Sequence, residues 1–176
     1  KTAYEIPKRD WSSDMCSSDL VQYITTTEGI KGYKDSQIAK SENNDCVVRA
    51  FASSFEMEYD EAHKIVATEF KRKPRKGTFG FPTKMNLFAE NKIKFNGKGI
   101  TKISHEYNTM LYYVNVKGVK TLRNCTLNYF LKKYSIGTYI LIVRGHAFTV
   151  KDGSVIGNTE DAKKTKKHIV GAWKIG

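Results

Sequence analysis

Asn43-Asn44-Asp45-Cys46-Val47-Val48-Arg49-Ala50-Phe51-Ala52-Ser53-Ser54-Phe55 decides the fold. Two residues able to cap a helix precede a run in which Val47, Phe51 and Phe55 fall on one stripe, with Val48 and Ala52 beside it. Asn44 or Asp45 therefore predicts a helix start, and the spacing predicts a helix over residues 46–55. So broad an apolar face belongs in the interior. Cys46 falls in the first turn, where unpaired backbone N–H groups and the helix dipole favour an anion. A thiolate is stabilised there, although Asp45 opposes it unless capping engages its carboxylate.

Further along, Asp60 predicts the cap of a second helix over residues 61–71, with Ala62, Ile65, Val66 and Phe70 at helical spacing. Residues 75–82, punctuated by Gly77, Gly80 and Pro82, read as a loop, and a short third helix follows over residues 83–90. From Ile93 the pattern changes to short β-type runs at residues 93–95, 110–116, 138–143, 147–151, 154–157 and 168–174. One helix over residues 126–134 interrupts them, with Leu127, Phe130 and Leu131 as its buried stripe. Helices first and antiparallel strands second define an α+β layout.

At 176 residues and 40% hydrophobic content the chain can bury a core without disulfides, and residues 21–176 are expected to form a single domain. Cys16, Cys46 and Cys125 give an odd count with no CxxC pair, which disfavours a disulfide framework or a structural zinc site. No metal or other cofactor is called for. No apolar run approaches the ~20 residues that span a bilayer, and no leader pattern is visible. A soluble, cytoplasmic monomer is the expectation. Residues 1–20 are set apart: Trp11-Ser12-Ser13-Asp14-Met15 is nearly repeated by Cys16-Ser17-Ser18-Asp19-Leu20, and residues 9–20 resemble the translation of a sequencing-adapter oligonucleotide. They are expected to be non-native or disordered, so Cys16 carries no function.

Gly145-His146-Ala147-Phe148-Thr149-Val150 supplies the partner that a thiol nucleophile needs. His63 is placed on the exposed side of the second helix, His105 in a loop and His168 beside a lysine run. His146 alone sits between strongly apolar strands, where an imidazole needs a specific partner or task. A third group must orient that ring. Asp152-Gly153 signals a hairpin whose length decides the answer. A two-residue turn pairs Lys151 with Ser154 and sets Thr159 opposite His146, whereas a three-residue loop sets Asn158 there. Asn158 is the choice, because its amide oxygen can accept the ring N–H, and Asp161 is the reserve. An oxyanion hole would combine the Cys46 backbone N–H with a donor from Gln37, Asn43 or Asn44.

Asp45-Cys46-Val47-Val48-Arg49-Ala50 together with the stretch from Gly145 to Gly153 resembles the papain-like cysteine peptidase superfamily, in particular compact papain-like proteins of bacteriophages and their hosts. The resemblance spans roughly residues 40–160. It implies an α+β fold with the central Cys-bearing helix packed on a C-terminal antiparallel sheet, and a Cys-His-Asn hydrolase acting on a peptide or isopeptide bond, located in the host cytoplasm or a virion if phage-encoded. Relatives often carry a Gln six residues before the Cys as oxyanion donor, and that position here is Lys40.

A formal charge of +12, carried by 24 Lys and 6 Arg, motivates a rival reading. Lys71-Arg72-Lys73-Pro74-Arg75-Lys76 and Lys163-Lys164-Thr165-Lys166-Lys167-His168 would attract phosphate backbones or acidic partners. With Phe79 and Phe81 nearby, an inactive binding module for nucleic acid on the same fold is the alternative. AT-rich coding produces the same lysine excess.

Overall fold

The computed structural model describes residues 21–103, 111–116, 119–124, 126–158, 161 and 167–176. The near-repeat with Cys16, and also His105, Cys125, Thr159 and residues 163–166, lie outside the described residues. At the centre is the predicted helix, α3 (Cys46–Phe55), in which Val48, Phe51, Ala52 and Phe55 are buried. Full burial of each large side chain contributes about 1.5–3 kcal/mol, so this short helix is held by its packing and not by its propensity. Against it lies α4 (Tyr59–Glu69), and an aromatic network in which Phe51 meets Phe55, Phe70 and Phe95 reaches α5 (Phe81–Glu90) through Phe81 and Phe88. Two short helices, α1 (Thr26–Gly29) and α2 (Gln37–Ser41), were not anticipated, although Thr25-x-x-Glu28 makes a capping box and Ser36 caps α2. Asp60 is no cap: α4 starts a residue before it, and its carboxylate accepts the Ser36 hydroxyl.

Six strands form one sheet in the order β1 (Tyr23–Thr25), β7 (Ser154–Gly157), β6 (His146–Lys151), β5 (Thr138–Val143), β8 (Ile169–Ile175), β2 (Ile100–Lys102). The expectation of an antiparallel sheet is corrected at one edge, where β1 runs parallel to β7 with Tyr23 opposite Val155. A three-residue strand whose partner arrives some 130 residues later leaves no local alternation to read. Residues 93–95 are likewise not a strand, since Phe95 only bridges Lys98 across an Asn96-Gly97 turn. The run from Leu111 is a strand, β3 (Leu111–Val116), but it pairs with β4 (Val119–Asn124) in a separate hairpin.

Alternation along the sheet divides the core in two. Ile140, Ala147, Trp173 and Ile175 face α3 to α5, while Tyr139, Leu141, Val143, Phe148 and Val150 face the other way, against Leu127 and Phe130 of α6 (Leu127–Lys133). An irregularity at Ile142/Val143, where Ile142 pairs with Gly171 but Val143 with Ile169, leaves Val170 outside the ladder and exposed. The architecture is α+β, and the Cys-bearing helix packs on the strand that begins at His146. Two hydroxyls lock that contact: Thr149 Oγ1 donates to the Ala50 carbonyl at 2.9 Å, and Ser53 Oγ donates to Thr149 Oγ1 at 2.7 Å.

Candidate active site

Cys46 is the first residue of α3, and Asp45 occupies the cap position without making a side-chain cap bond. Its carboxylate is engaged elsewhere: Arg49 Nε lies 3.0 Å from Oδ1, and the Tyr59 hydroxyl donates to Oδ2 at 2.8 Å. The negative charge beside the thiol is therefore compensated by a cation one turn along the same helix, and the first backbone N–H groups of α3 stay free of it. Burial of Tyr59, and then the Asp45 carboxylate, push that phenol's pKa well above its usual range.

His146 opens β6 directly after the Arg144-Gly145 turn, with Gly145 at a φ of 74°. That left-handed conformation is cheap for glycine, and it sets the imidazole at the strand's first position. Burial pushes the Cys46 thiol up, but the hydrogen bond with His146, the Ala147 backbone N–H and the charges of His146 and Arg49 together bring it below its ordinary 9.0. His146 is held up at about 9, first by Asp161 and then by Cys46, against the opposing effect of burial. Both shifts favour the thiolate–imidazolium pair over two neutral groups. As a coupled pair they titrate together, with apparent values belonging to both.

Beside the His146 ring stands Asp161, the reserve, and not Asn158, whose side chain is turned to Arg49. His146 Nε2 lies 2.9 Å from Asp161 Oδ1, leaving Nδ1 as the ring nitrogen available to the thiol. The carboxylate lies off the ring's N–H direction, so the contact is an ion pair at hydrogen-bond distance without hydrogen-bond alignment. Asp161 is only 3% exposed, and the Asn158 backbone N–H donates to its Oδ2 at 2.8 Å. Burial raises the carboxyl pKa, but the His146 contact outweighs it and the net shift is downward.

Turn length explains the exchange. Asp152 and Gly153 both have positive φ and Lys151 pairs with Ser154, the two-residue turn whose twist suits a hairpin. Continuing that register sets Asn158 beside Ala147, on the sheet face turned toward α3, and there its side-chain oxygen accepts a hydrogen bond from Arg49 Nη1. A one-residue slip in register turns a side chain to the opposite face. Gly157 makes room for Asp161, since a Cβ there would lie 2.8 Å from Asp161 Oδ2. Asp45, Arg49, Asn158, Asp161, His146 and Cys46 thus form a series of polar contacts that runs from the start of α3 to the end of β7 and back.

The pair opens on a groove of about 560 Å³ lined by residues including Asn44, Arg49, Gly77, Thr78, Phe81 and Gly145. A cavity of about 600 Å³ among Ile24, Lys31, Ser53 and Lys151 is slightly larger, but neither Cys46 nor His146 reaches it. Of the three oxyanion candidates only Asn44 lines the groove, its side chain donating to the Arg75 carbonyl at 3.4 Å. Gln37 is exposed on α2, and Asn43 contributes its carbonyl to Arg72. His63 is not exposed as expected. Its Nε2 lies 3.1 Å from Glu42 Oε1 and 3.2 Å from Arg72, within a buried cluster where Arg72 Nη2 donates to Glu42 Oε2 at 2.6 Å. Arg49, Gly157 and the Glu42–Arg72 pair were assigned no role from sequence, although an Asp and an Arg four apart at a helix start do signal a local ion pair. Comparison with protein-family models, curated proteins and solved structures returned no match.

Proposed function

We propose that this chain is a papain-like cysteine hydrolase that cleaves a peptide or isopeptide bond, with Cys46 as nucleophile, His146 as general base and acid, and Asp161 holding the imidazole. The observation that carries the reading is the polarised Cys46–His146–Asp161 series at the floor of an open groove. In the reaction the Cys46 thiolate adds to the carbonyl carbon, and the C=O electron pair moves onto oxygen. The tetrahedral intermediate collapses with cleavage of C–N, and His146 gives its proton to the departing amine. Water then adds to the thioester as neutral His146 takes its proton, and the carboxylic acid leaves with release of the thiolate. The Cys46 backbone N–H, uncapped by any side chain, is one donor to the oxyanion, and Asn44 is the groove residue able to supply another.

The nucleic-acid reading loses one of its cations: Arg72 is buried and bonded to Glu42, so the basic run is not a continuous exposed stripe. Residues 163–166 of the second run lie outside the described residues. The test of the hydrolase reading is cleavage of a casein or peptide-library substrate by the full chain. Activity is expected in the parent and in Cys125→Ala, and a loss of at least about 10³-fold in Cys46→Ala. Equal cleavage by Cys46→Ala would overturn the assignment.

A further inference from the structure

The groove that holds Cys46 has a mouth of one sign. Its lining contains no Asp or Glu among the described residues, and the carboxylates nearest the pair are all buried and engaged: Asp45 with Arg49 and Tyr59, Asp161 with His146, Glu42 with Arg72. On one bank the lining residue Gly77 directly follows Arg75 and Lys76, both exposed, and on the other Gly145 directly follows exposed Arg144. Arg75 is held with unusual firmness for a loop residue. Its N–H donates to Glu42 Oε2 at 3.0 Å, its carbonyl accepts from Asn44, and its φ is 59°. A glycine would adopt that backbone conformation at lower cost, so the position carries a long cation against the local backbone preference. Two residues past Gly77, Phe79 is 88% exposed on the same loop, an apolar ring presented to solvent beside the cations.

We infer that the groove takes an acidic polypeptide segment, its carboxylates met by Arg75, Lys76 and Arg144 across the two banks and an apolar side chain resting on Phe79. The inference deepens the hydrolase reading and rests on it for the groove being a substrate site. A polypeptide is favoured over a nucleic acid on two counts. Arg72 is withdrawn from the basic run, and among the described residues of that loop Phe79 is the one exposed ring, which offers no ladder on which successive bases could stack. Beside the Cys46–His146 pair the lining also offers apolar surface from Val47, Phe81, Ile142 and Ala147, which suits a side chain better than a phosphate backbone.

The experiment uses the full chain carrying Cys46→Ser, so that binding is measured without turnover. The probes are three fluorescein-labelled strands: a Glu/Asp-rich peptide with central Gly and Leu, its Lys-substituted counterpart, and a single-stranded oligonucleotide. The acidic peptide should bind at least about tenfold more tightly than the basic one at low salt, and the difference should shrink as added salt shortens the Debye length. Arg75→Glu with Lys76→Glu should weaken the acidic peptide about tenfold, and Phe79→Ala should weaken it further, whereas Lys64→Glu on exposed α4 should leave it unchanged. Equal affinity for the two peptides, tighter binding of the oligonucleotide, or an equal effect of Lys64→Glu would overturn the inference. Selective binding with no cleavage by the parent chain would instead remove the hydrolase reading and leave the surface in place.

Discussion

Four residues bear on the state of the Cys46 thiol, and the sequence picked out two of them directly and a third as a reserve. Cys46 and His146 were legible because each sits at an element start with a distinctive flank, an Asn-Asn-Asp cap region and a Gly-His turn. Asp161 was legible only as the reserve and Arg49 not at all, because their contacts depend on which face of the sheet Asn158 takes. The distinction is measurable. Asp161→Asn removes the charge that holds His146 up, so the loss of activity on the alkaline side should move from about pH 9 toward the unshifted 6.5, with kcat/KM down about 10²–10⁴-fold. Asn158→Ala should cost far less and leave that alkaline limb in place, because Asn158 contacts Arg49 and not the ring. Arg49→Met leaves Asp45 beside the thiol without its cation. The Cys46 pKa should then rise and its alkylation rate at pH 6 fall severalfold, while Arg49→Lys retains part of the effect. Gly157→Ala, whose new methyl would crowd Asp161 Oδ2 at 2.8 Å, should lower activity while far-ultraviolet circular dichroism stays unchanged.

At the scale of elements, the site is a junction between α3 and β6, and the junction is fastened by buried hydroxyls. Thr149→Val removes the donor to the Ala50 carbonyl and one partner of Ser53, and it should cost about 1–3 kcal/mol in urea unfolding. A lowered alkylation rate in the same variant would show the helix shifting against the strand. Truncating the packing stripe is harsher: Phe51→Ala should cost roughly 3–5 kcal/mol, since Phe51 is fully buried among Phe55, Phe70 and Phe95. Helix α3 was readable to its end residues because its apolar spacing and its burial agree, although Asp45 at the cap position makes no side-chain cap bond. The hairpin of β6 and β7 was readable as a hairpin but not in register. Asp152-Gly153 permits either loop length, and the choice is fixed by Ser154 pairing with Lys151 against the rest of the sheet.

Across the whole molecule, helices followed by strands gave the α+β layout, whereas the parallel edge strand β1 left no trace in local pattern because its partner lies at the far end of the chain. Among the described residues no helix is long and apolar enough to cross a membrane. The ion pairs that tie the sequence-distant segments also set the acid stability. Glu42, desolvated but bonded by Arg72, Arg75 and His63, and Glu56, bonded by Lys151 and Lys98, are both held at about 2, and Asp161 is also lowered. Depressed carboxyl values contribute stability above the unfolded values of about 4, lost as pH falls toward 2, so the urea midpoint should drop progressively over that window. His146 contributes with the opposite sign: its stabilisation is full below 6.5 and lost as pH rises through about 9. The central claim is that Cys46 and His146 form a thiolate–imidazolium pair, and the most direct measurement is the pH dependence of Cys46 alkylation by iodoacetamide, followed by peptide mass spectrometry. Reaction should be appreciable already near pH 6 and fall severalfold there in His146→Ala. A single titration near the ordinary thiol value of 9.0, unchanged by His146→Ala, would contradict it.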